Sequence, residues 1–250
     1  MTEVNFLWGG NRFNFLQNLV IKSHIKVGHT PVIWISGTKP KGDYWKEVEN
    51  KIVEKNADLV YNIEKFLSEG GNYRTAADLW RWHFLYEKGG IWCDSDLFAL
   101  KHLPSDEWIV CSGEERPNLL SIAILKVPAH QEIFLDCIKN IKKDWGNVEI
   151  FSKAYRKFFG HSNSTHQDRL FYPYKWRQCH KLIKKGKIPK DCYSIHYWAK
   201  AVEDYLERPD TGIFSKFKQK NFPRNIDDFD EEWCKKNPET LLGRLWLWLN

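Results

Sequence analysis

The chain has 250 residues, of which 42% are hydrophobic and 28% are charged, and its formal net charge is +6. This composition excludes an intrinsically disordered chain, and the length suits one large α/β domain or a domain with a small appendage. The modest positive charge favours an anionic partner, such as a nucleotide, a phosphorylated acceptor or an anionic membrane face, and is too small to indicate a nucleic-acid-binding protein.

The first part of the sequence predicts alternating strands and helices. We expect strands at residues 4–8, 31–36 and 58–61, and helices at residues 11–27 and 43–56. This β-α-β-α-β order predicts a Rossmann-like, mostly parallel sheet. The pair Gly9-Gly10 is not a dinucleotide-binding fingerprint, and Asp43 stands where a P-loop requires lysine. The sequence therefore does not predict NAD binding or P-loop ATPase chemistry.

The most informative stretch spans residues 72–97. Asn72 can cap a helix whose apolar residues recur at helical spacing, and Gly89-Gly90 can end it. Residues 91–93 then predict a short buried strand, with Asp94-Ser95-Asp96 at its end. In an extended segment alternate side chains share a face, so Asp94 and Asp96 should point the same way.

Two carboxylates this close repel each other unless a cation lies between them. Oxygen ligands of this kind suit Mg²⁺ or Mn²⁺, although an Asp-x-Asp sequence can also form a solvated turn. Asp78 and Arg81 are three residues apart on the preceding helix and share a face. With Trp82 and Leu85 they should point at the carboxyl end of the strand, where ligands bind in open α/β sheets. The alternative is an ordinary surface ion pair.

The sequence AADLWRWHFLYEKGGIWCDSD, residues 76–96, resembles the Asp-x-x-Arg…Leu-Tyr…Gly-Gly-Ile-Tyr-x-Asp-x-Asp signature of sugar-nucleotide glycosyltransferases. The match is best with glycosyltransferase family 32, which includes initiating mannosyltransferases and capsule-synthesis enzymes. Trp92 stands where that family often has tyrosine. The resemblance implies a GT-A fold and retaining, metal-dependent transfer of a hexose from a nucleotide sugar. UDP-hexose is favoured over GDP-mannose, and the acceptor would be a glycan or a lipid-linked hydroxyl.

The resemblance also implies residue roles. Asp96 would ligate Mn²⁺ or Mg²⁺ directly, and Asp94 would hold the donor ribose and the metal. Asp78 would bind sugar hydroxyls, and Arg81 would contact the sugar or the glycosidic oxygen, with Trp92 beside them in the nucleotide-sugar site. No catalytic nucleophile is implied.

Two distant segments extend the resemblance. Leu7-Trp8-Gly9, at the end of the first strand, is similar to the segment that holds the nucleotide base, with Trp8 stacking on it. His196, within Ile195-His196-Tyr197-Trp198, is similar to a late residue that completes the metal shell. From the residues alone, Trp8 could equally be a core side chain, and a histidine on a strand such as His196 is more often one.

The second part of the sequence predicts strands at residues 108–112, 121–127 and 193–198, and helices at 128–143 and 147–159. We interpret the basic stretch at residues 181–190 as a solvated face. We expect one GT-A domain, in which residues 1–127 bind the nucleotide sugar. Residues 128–250 would form the acceptor side and a helical or irregular C-terminal extension.

Localisation follows from three observations. The six cysteines include no Cys-x-x-Cys pair, the start of the chain lacks the apolar core of a secretory signal, and no apolar run approaches a membrane span. We therefore expect a cytoplasmic protein. Residues 241–249 are almost wholly apolar and follow a basic cluster of Lys216, Lys218, Lys220 and Arg224. This end could contact a membrane peripherally, or fold back onto the domain.

Two other function classes remain open from the sequence. A Mg²⁺-dependent phosphatase or nuclease could use Asp-x-Asp, but Phe98 stands where the haloacid-dehalogenase pattern requires threonine or valine. A non-catalytic module that binds nucleotide sugars or carbohydrates would explain the 13 tryptophans but not the acidic pair.

Overall fold

The computed structural model describes residues 2–112, 119–141, 147–160, 168–207, 223 and 225–250. A six-stranded sheet in the order β3-β2-β1-β4-β7-β6 forms the centre of the fold. Its strands are β1 (Thr2–Gly9), β2 (His29–Ser36), β3 (Val53–Asn56), β4 (Gly90–Cys93), β6 (Ile109–Ser112) and β7 (Leu120–Val127). Strands β1 to β4 pair in parallel, and β7 pairs antiparallel with both β4 and β6. The mostly parallel, Rossmann-like sheet predicted from the sequence is confirmed.

A second, two-stranded sheet pairs β5 (Leu97–Ala99) with β8 (Ser194–His196) in antiparallel orientation. The helices are α1 (Phe15–Lys26), α2 (Asp43–Glu49), α3 (Ile63–Ser68), α4 (Tyr73–Glu87), α5 (Glu132–Asn140), α6 (Asn147–Phe159), α7 (Asp168–Phe171), α8 (Ala199–Glu207), α9 (Glu231–Lys236) and α10 (Leu241–Leu249). Two apolar cores result, one built on α1, β5 and α10, and the other on α4, α5 and α6. The two cores lie on opposite faces of the central sheet because residues alternate along each strand.

Several predicted boundaries are wrong. The helix expected at residues 43–56 ends at Glu49, and its last residues form β3. Side chains of this edge strand are mostly solvated, so the strand has no apolar pattern to reveal it. The strand expected at 58–61 is a 3₁₀ turn, Ala57–Leu59, capped by the side chain of Asn56.

The second strand and the fifth helix also differ from their predictions. Strand β2 begins at His29, two residues before Pro31, and the missing N–H is tolerated because pairing with β3 begins only at Val32. Helix α5 begins at Glu132, after a turn in which His130 has a φ of 60°. The strand expected at 193–198 has three residues and belongs to the second sheet.

The C-terminal helix α10 folds back onto the domain. Leu241, Leu242 and Leu245 are buried against the core that contains α1, whereas Leu247 is 53% exposed. Lys26, at the end of α1, lies 5.4 Å from the Trp248 ring centroid. The basic cluster expected beside this end, Lys216 to Arg224, lies outside the described residues. Among the residues that are described, no helix is long and apolar enough to cross a membrane.

Candidate active site

Helix α4 carries Asp78 and Arg81, and strand β4 carries Trp92 and leads into the Asp-x-Asp turn. The Asn72 side chain accepts a hydrogen bond of 2.9 Å from the Thr75 N–H, which fixes the start of α4. Gly89 has a φ of +61°, and a Cβ there would lie 2.4 Å from the Ala129 backbone nitrogen. Only glycine fits this turn, so the chain reverses tightly and β4 runs back beside α4.

The Asp-x-Asp residues lie in a tight turn between β4 and β5, and not in an extended segment as expected. The Leu97 N–H donates to the Asp94 carbonyl oxygen at 3.2 Å, which closes the turn, and the Asp94 N–H donates to the Ala123 carbonyl oxygen at 2.8 Å. The prediction that the two carboxylates lie close together is still met, because the turn brings them together.

Asp96 is held by the C-terminal half of the chain. Residues Leu97 and His196 are directly paired across the second sheet, which places the imidazole beside the turn. The Nε2 atom of His196 lies 2.9 Å from Asp96 Oδ1, and the Ala199 N–H at the start of α8 donates to Oδ2 at 2.9 Å. The Tyr197 N–H also donates to the Asp96 carbonyl oxygen at 3.0 Å.

Asp94, Asp96 and His196 form one cluster in which potential ligand atoms all lie within 4.8 Å of one another. Two carboxylates and one imidazole fit a hard divalent cation such as Mn²⁺ or Mg²⁺. Each carboxylate oxygen has two lone pairs, so the hydrogen bonds described here leave acceptor capacity for an ion. The structure thus brings together the three residues predicted as metal ligands.

The two carboxylates differ electrostatically. Burial raises the pKa of Asp94 from 3.8 to about 6, against the opposing effect of the Arg81 guanidinium. Burial also acts to raise the pKa of Asp96, but His196 and the Ala199 N–H more than offset it, so the Asp96 pKa lies below its ordinary value. Asp96 is therefore the stronger anion of the pair, and Asp94 gains most from a nearby cation.

Arg81 joins the helix to the cluster. Its Nη2 atom lies 2.8 Å from Asp94 Oδ1, and its Nη1 atom lies 3.3 Å from Asp78 Oδ1. The guanidinium also lies 4.7 Å from the centroid of the Trp92 ring. Arg81 is buried, with its side chain only 6% exposed, which excludes the ordinary surface pair considered from the sequence.

Sequence reasoning missed Asn147. This residue begins α6, is 5% exposed, and donates from Nδ2 to Asp78 Oδ2 at 2.5 Å. Its own Oδ1 atom is buried and has no hydrogen-bond partner within the described part of the chain. An asparagine at the start of a helix suggests a cap, and nothing in the local sequence connects it to a residue 69 positions away.

Trp92 and Trp82 have different surroundings, and only Trp92 lies beside the carboxylate cluster. Trp92 is buried, and its indole N–H donates to Asp94 Oδ1 at 2.9 Å. This hydrogen bond orients the Asp94 carboxylate. Trp82 and Leu85 do not point at the strand end. Both are fully buried, and the Trp82 ring stacks on Phe151 at 5.5 Å in the core between α4 and α6.

Leu7, Trp8 and Gly9 lie at the same edge of the sheet as the cluster, because Asn5 of β1 pairs with Trp92 of β4. Trp8 is partly buried, with its ring 5.2 Å from that of Phe13. A Cβ on Gly9 would lie 1.7 Å from the Tyr73 hydroxyl oxygen, so glycine leaves room for this side chain. Tyr73, which the sequence analysis did not single out, therefore lies beside the segment predicted to hold the nucleotide base.

Comparison with known proteins agrees with this geometry. The family described as "Glycosyltransferase sugar-binding region containing DXD motif" matches residues 16–112, which include α4 and the Asp-x-Asp turn. A comparison with curated protein sequences gave no match.

Among solved structures similar to this chain, that of one glycosyltransferase shares the fold. The PaToxG glycosyltransferase has a TM-score of 0.50 at 15% identity over 63% of this chain and 69% of its own. The glycosyltransferase GlyE of Streptococcus pneumoniae TIGR4 gives TM-scores of 0.47 in its apo form, at 13% identity, and 0.46 in a second structure, at 11% identity. Each alignment covers 99% of this chain and 62% of the GlyE chain, so this chain spans less than two thirds of GlyE. The family match and the α/β fold support a glycosyltransferase with an Asp-x-Asp motif.

Proposed function

We propose that this chain is a retaining, metal-dependent glycosyltransferase that moves a hexose from a UDP-hexose to a hydroxyl group of a glycan. The observation that carries the proposal is that two clusters of polar side chains lie in contact at one edge of the sheet. Asp94, Asp96 and His196 form the first, and Asp78, Arg81 and Asn147 form the second. Arg81 contacts both. Retention of configuration and the preference for UDP over GDP-mannose rest on the family resemblance.

Asp94, Asp96 and His196 would hold Mn²⁺ or Mg²⁺. When bound, such an ion supplies Lewis-acid stabilisation of the negative charge that develops on the leaving nucleotide diphosphate. The protein prepares the ligands. His196 and the Ala199 N–H orient Asp96, and Trp92 and Arg81 orient Asp94, so neither carboxylate has to be ordered when the donor binds.

Asp78, Arg81 and Asn147 would bind the donor hexose. Asp78 can accept hydrogen bonds from sugar hydroxyls, and the unpartnered Oδ1 atom of Asn147 can accept another. Leaving such a buried acceptor unpaired costs about 1–3 kcal/mol, which a sugar hydroxyl would recover on binding. Arg81 would contact the sugar or the glycosidic oxygen. Leu7, Trp8 and Gly9 would hold the nucleotide base.

Domain roles and location complete the proposal. Residues 1–127 would bind the donor, and residues 128–250 would bind the acceptor and contribute His196. All six cysteines are buried and unpaired, which supports a reducing, cytoplasmic compartment. A peripheral membrane contact would use Leu247 and Trp248 of α10. Lys26 beside Trp248 lies three residues before the start of β2, so this surface lies at the edge of the sheet opposite the carboxylates. It would localise the enzyme without presenting a lipid-linked acceptor.

Neither alternative class is favoured. The two half-buried carboxylates and the imidazole lie beside the Asp78–Arg81 pair, which supports a catalytic site more than a simple binding module, and a phosphatase of the haloacid-dehalogenase type carries its acids on the first strand.

The test is transfer of hexose from UDP-hexose, with release of UDP as the readout. We expect Asp94→Ala and Asp96→Ala each to lower the rate by about 100-fold or more, since each tenfold corresponds to about 1.4 kcal/mol. The exposed Asp58→Ala serves as the matched control and should keep wild-type activity. Full activity in excess EDTA, or full activity of either motif variant, would refute the metal-dependent mechanism.

A further inference from the structure

The segment from Tyr174 to Lys190 concentrates positive charge. It contains seven lysine and arginine residues and no acidic residue, whereas the whole chain has a net charge of only +6. The sequence suggested a solvated face for residues 181–190. The structure shows where the whole basic segment lies relative to the carboxylate cluster.

A 3₁₀ helix, Trp176–Ile183, gives this segment a fixed inner and outer side. Cys179, Leu182 and Ile183 are buried in the core that also contains α10. Lys175 and Arg177 are exposed, and Trp176 between them is 40% exposed. The basic and aromatic side chains are therefore presented outward from an anchored backbone.

The segment adjoins the candidate active site through Trp198. The Trp198 indole N–H donates to the Tyr174 carbonyl oxygen at 3.1 Å, and the Trp198 ring lies 3.8 Å from the His196 ring. Lys181 Nζ lies 5.2 Å from the Tyr174 ring centroid. Trp198 has a φ of +58°, a backbone conformation that residues other than glycine rarely adopt unless the surrounding structure enforces it. Trp198 thus connects the basic segment to His196, which belongs to the cluster with Asp94 and Asp96.

We propose that Tyr174, Lys175, Trp176, Arg177 and Lys181, here called the basic rim, bind an acceptor glycan that carries acidic groups. Aromatic faces stack on sugar rings, and lysine and arginine bind carboxylates or phosphates through charge-assisted hydrogen bonds. This combination fits an acidic saccharide better than a neutral one. The inference rests on the proposed transferase function and names the class of acceptor.

Binding of defined oligosaccharides to the full chain, by isothermal titration calorimetry at low salt, tests the basic rim. The probes are tetragalacturonate, a phosphate-bridged hexose oligomer and neutral maltotetraose. We expect at least one acidic probe to bind about tenfold or more tightly than maltotetraose, and the stronger of the two identifies the acid as carboxylate or phosphate. The double variant Lys175→Glu/Arg177→Glu should lose about tenfold in affinity for that probe, whereas Trp176→Ala should weaken binding of all bound saccharides.

The control is Lys51→Glu/Lys139→Glu, which makes the same charge change at two exposed positions on other elements. Equal affinity for acidic and neutral probes, or an equal loss in the control, would overturn the inference. So would rim-dependent flotation with anionic vesicles in the absence of any saccharide binding, which would identify a membrane as the partner. Donor hydrolysis by the wild-type chain, followed without acceptor, tests the proposed function separately. Its absence with every UDP-hexose would count against the transferase and not against the charge preference of the rim.

Discussion

Replacing Arg81 by methionine should destabilise the fold as well as the site. The Arg81 side chain is 6% exposed and pairs with two carboxylates, Asp78 at 11% and Asp94 at 26% side-chain exposure. Methionine has a similar volume and no charge, so the substitution leaves both carboxylates without their cation. Removing one partner of a buried ion pair costs about 3–5 kcal/mol.

The lower end of that range is the better expectation here, because a quarter of Asp94 is solvated and Asp78 keeps its hydrogen bond from Asn147. A loss of about 3 kcal/mol in a chain of this length lowers Tm by about 6–12 °C. The double variant Arg81→Met/Asp94→Asn removes one of the orphaned charges and should recover about 1–2 kcal/mol, a coupling typical of residues in direct contact. Transferase activity should stay lost in both.

Urea unfolding followed by tryptophan fluorescence measures these differences. Arg74→Met is the matched control, because Arg74 is exposed on the same helix and should change stability by less than about 0.5 kcal/mol. If Arg81→Met unfolded at the wild-type urea concentration, or if Asp94→Asn added to its destabilisation, the buried pairing described for Arg81 would be wrong.

Three further outcomes are expected. Asp78→Asn should weaken discrimination between UDP-hexoses while UDP with Mn²⁺ still binds, and equal losses of UDP and UDP-hexose affinity in titrations would contradict a sugar-binding role. Buried His24 and His29 have pKa values lowered to about 3 and about 4, so the unfolded chain binds extra protons below pH 6.5. The contribution of each histidine to stability should be constant above about pH 7 and fall by about 1.4 kcal/mol per pH unit between pH 6.5 and 4, while the raised pKa of Asp94 offsets the loss from one histidine below about pH 6. Equal urea midpoints at pH 7.5 and 5 would exclude this. Truncation after Thr240 should lower Tm because it removes three buried leucines, and an unchanged melting curve would show that α10 does not stabilise the domain.

The candidate site divides into a part that the sequence predicts and a part that it does not. Asp78, Arg81, Asp94 and Asp96 lie within 19 consecutive residues, and their helix, turn and strand are each specified by local caps and glycines. Asn147 reaches Asp78 from another helix, and its role depends on packing between α4 and α6, which no local pattern encodes. His196 was predicted only through a family resemblance.

The fold shows the same division. Strands β1, β2, β4 and β7 each contain a mostly apolar run with buried residues, so the sequence identifies them. Strand β3 lies at the edge of the sheet with solvated side chains, and the pairing that makes it a strand is with β2. The Asp-x-Asp turn also depends on tertiary contacts, because the strand after it exists only through its pairing with β8.

That pairing has a consequence for how the protein reaches its native state. Asp96 and His196 are 100 residues apart, and the second sheet that joins them has only two strands of three residues each. Contacts between such distant segments form late, since the entropy of closing the intervening loop must first be overcome. During synthesis, Asp94 and Asp96 emerge well before His196, so a nascent chain contains the acidic pair without the proposed third ligand. If the cluster binds a metal as proposed, tight binding should therefore appear as one of the last events of refolding, after the tryptophan-rich core of α4 has formed.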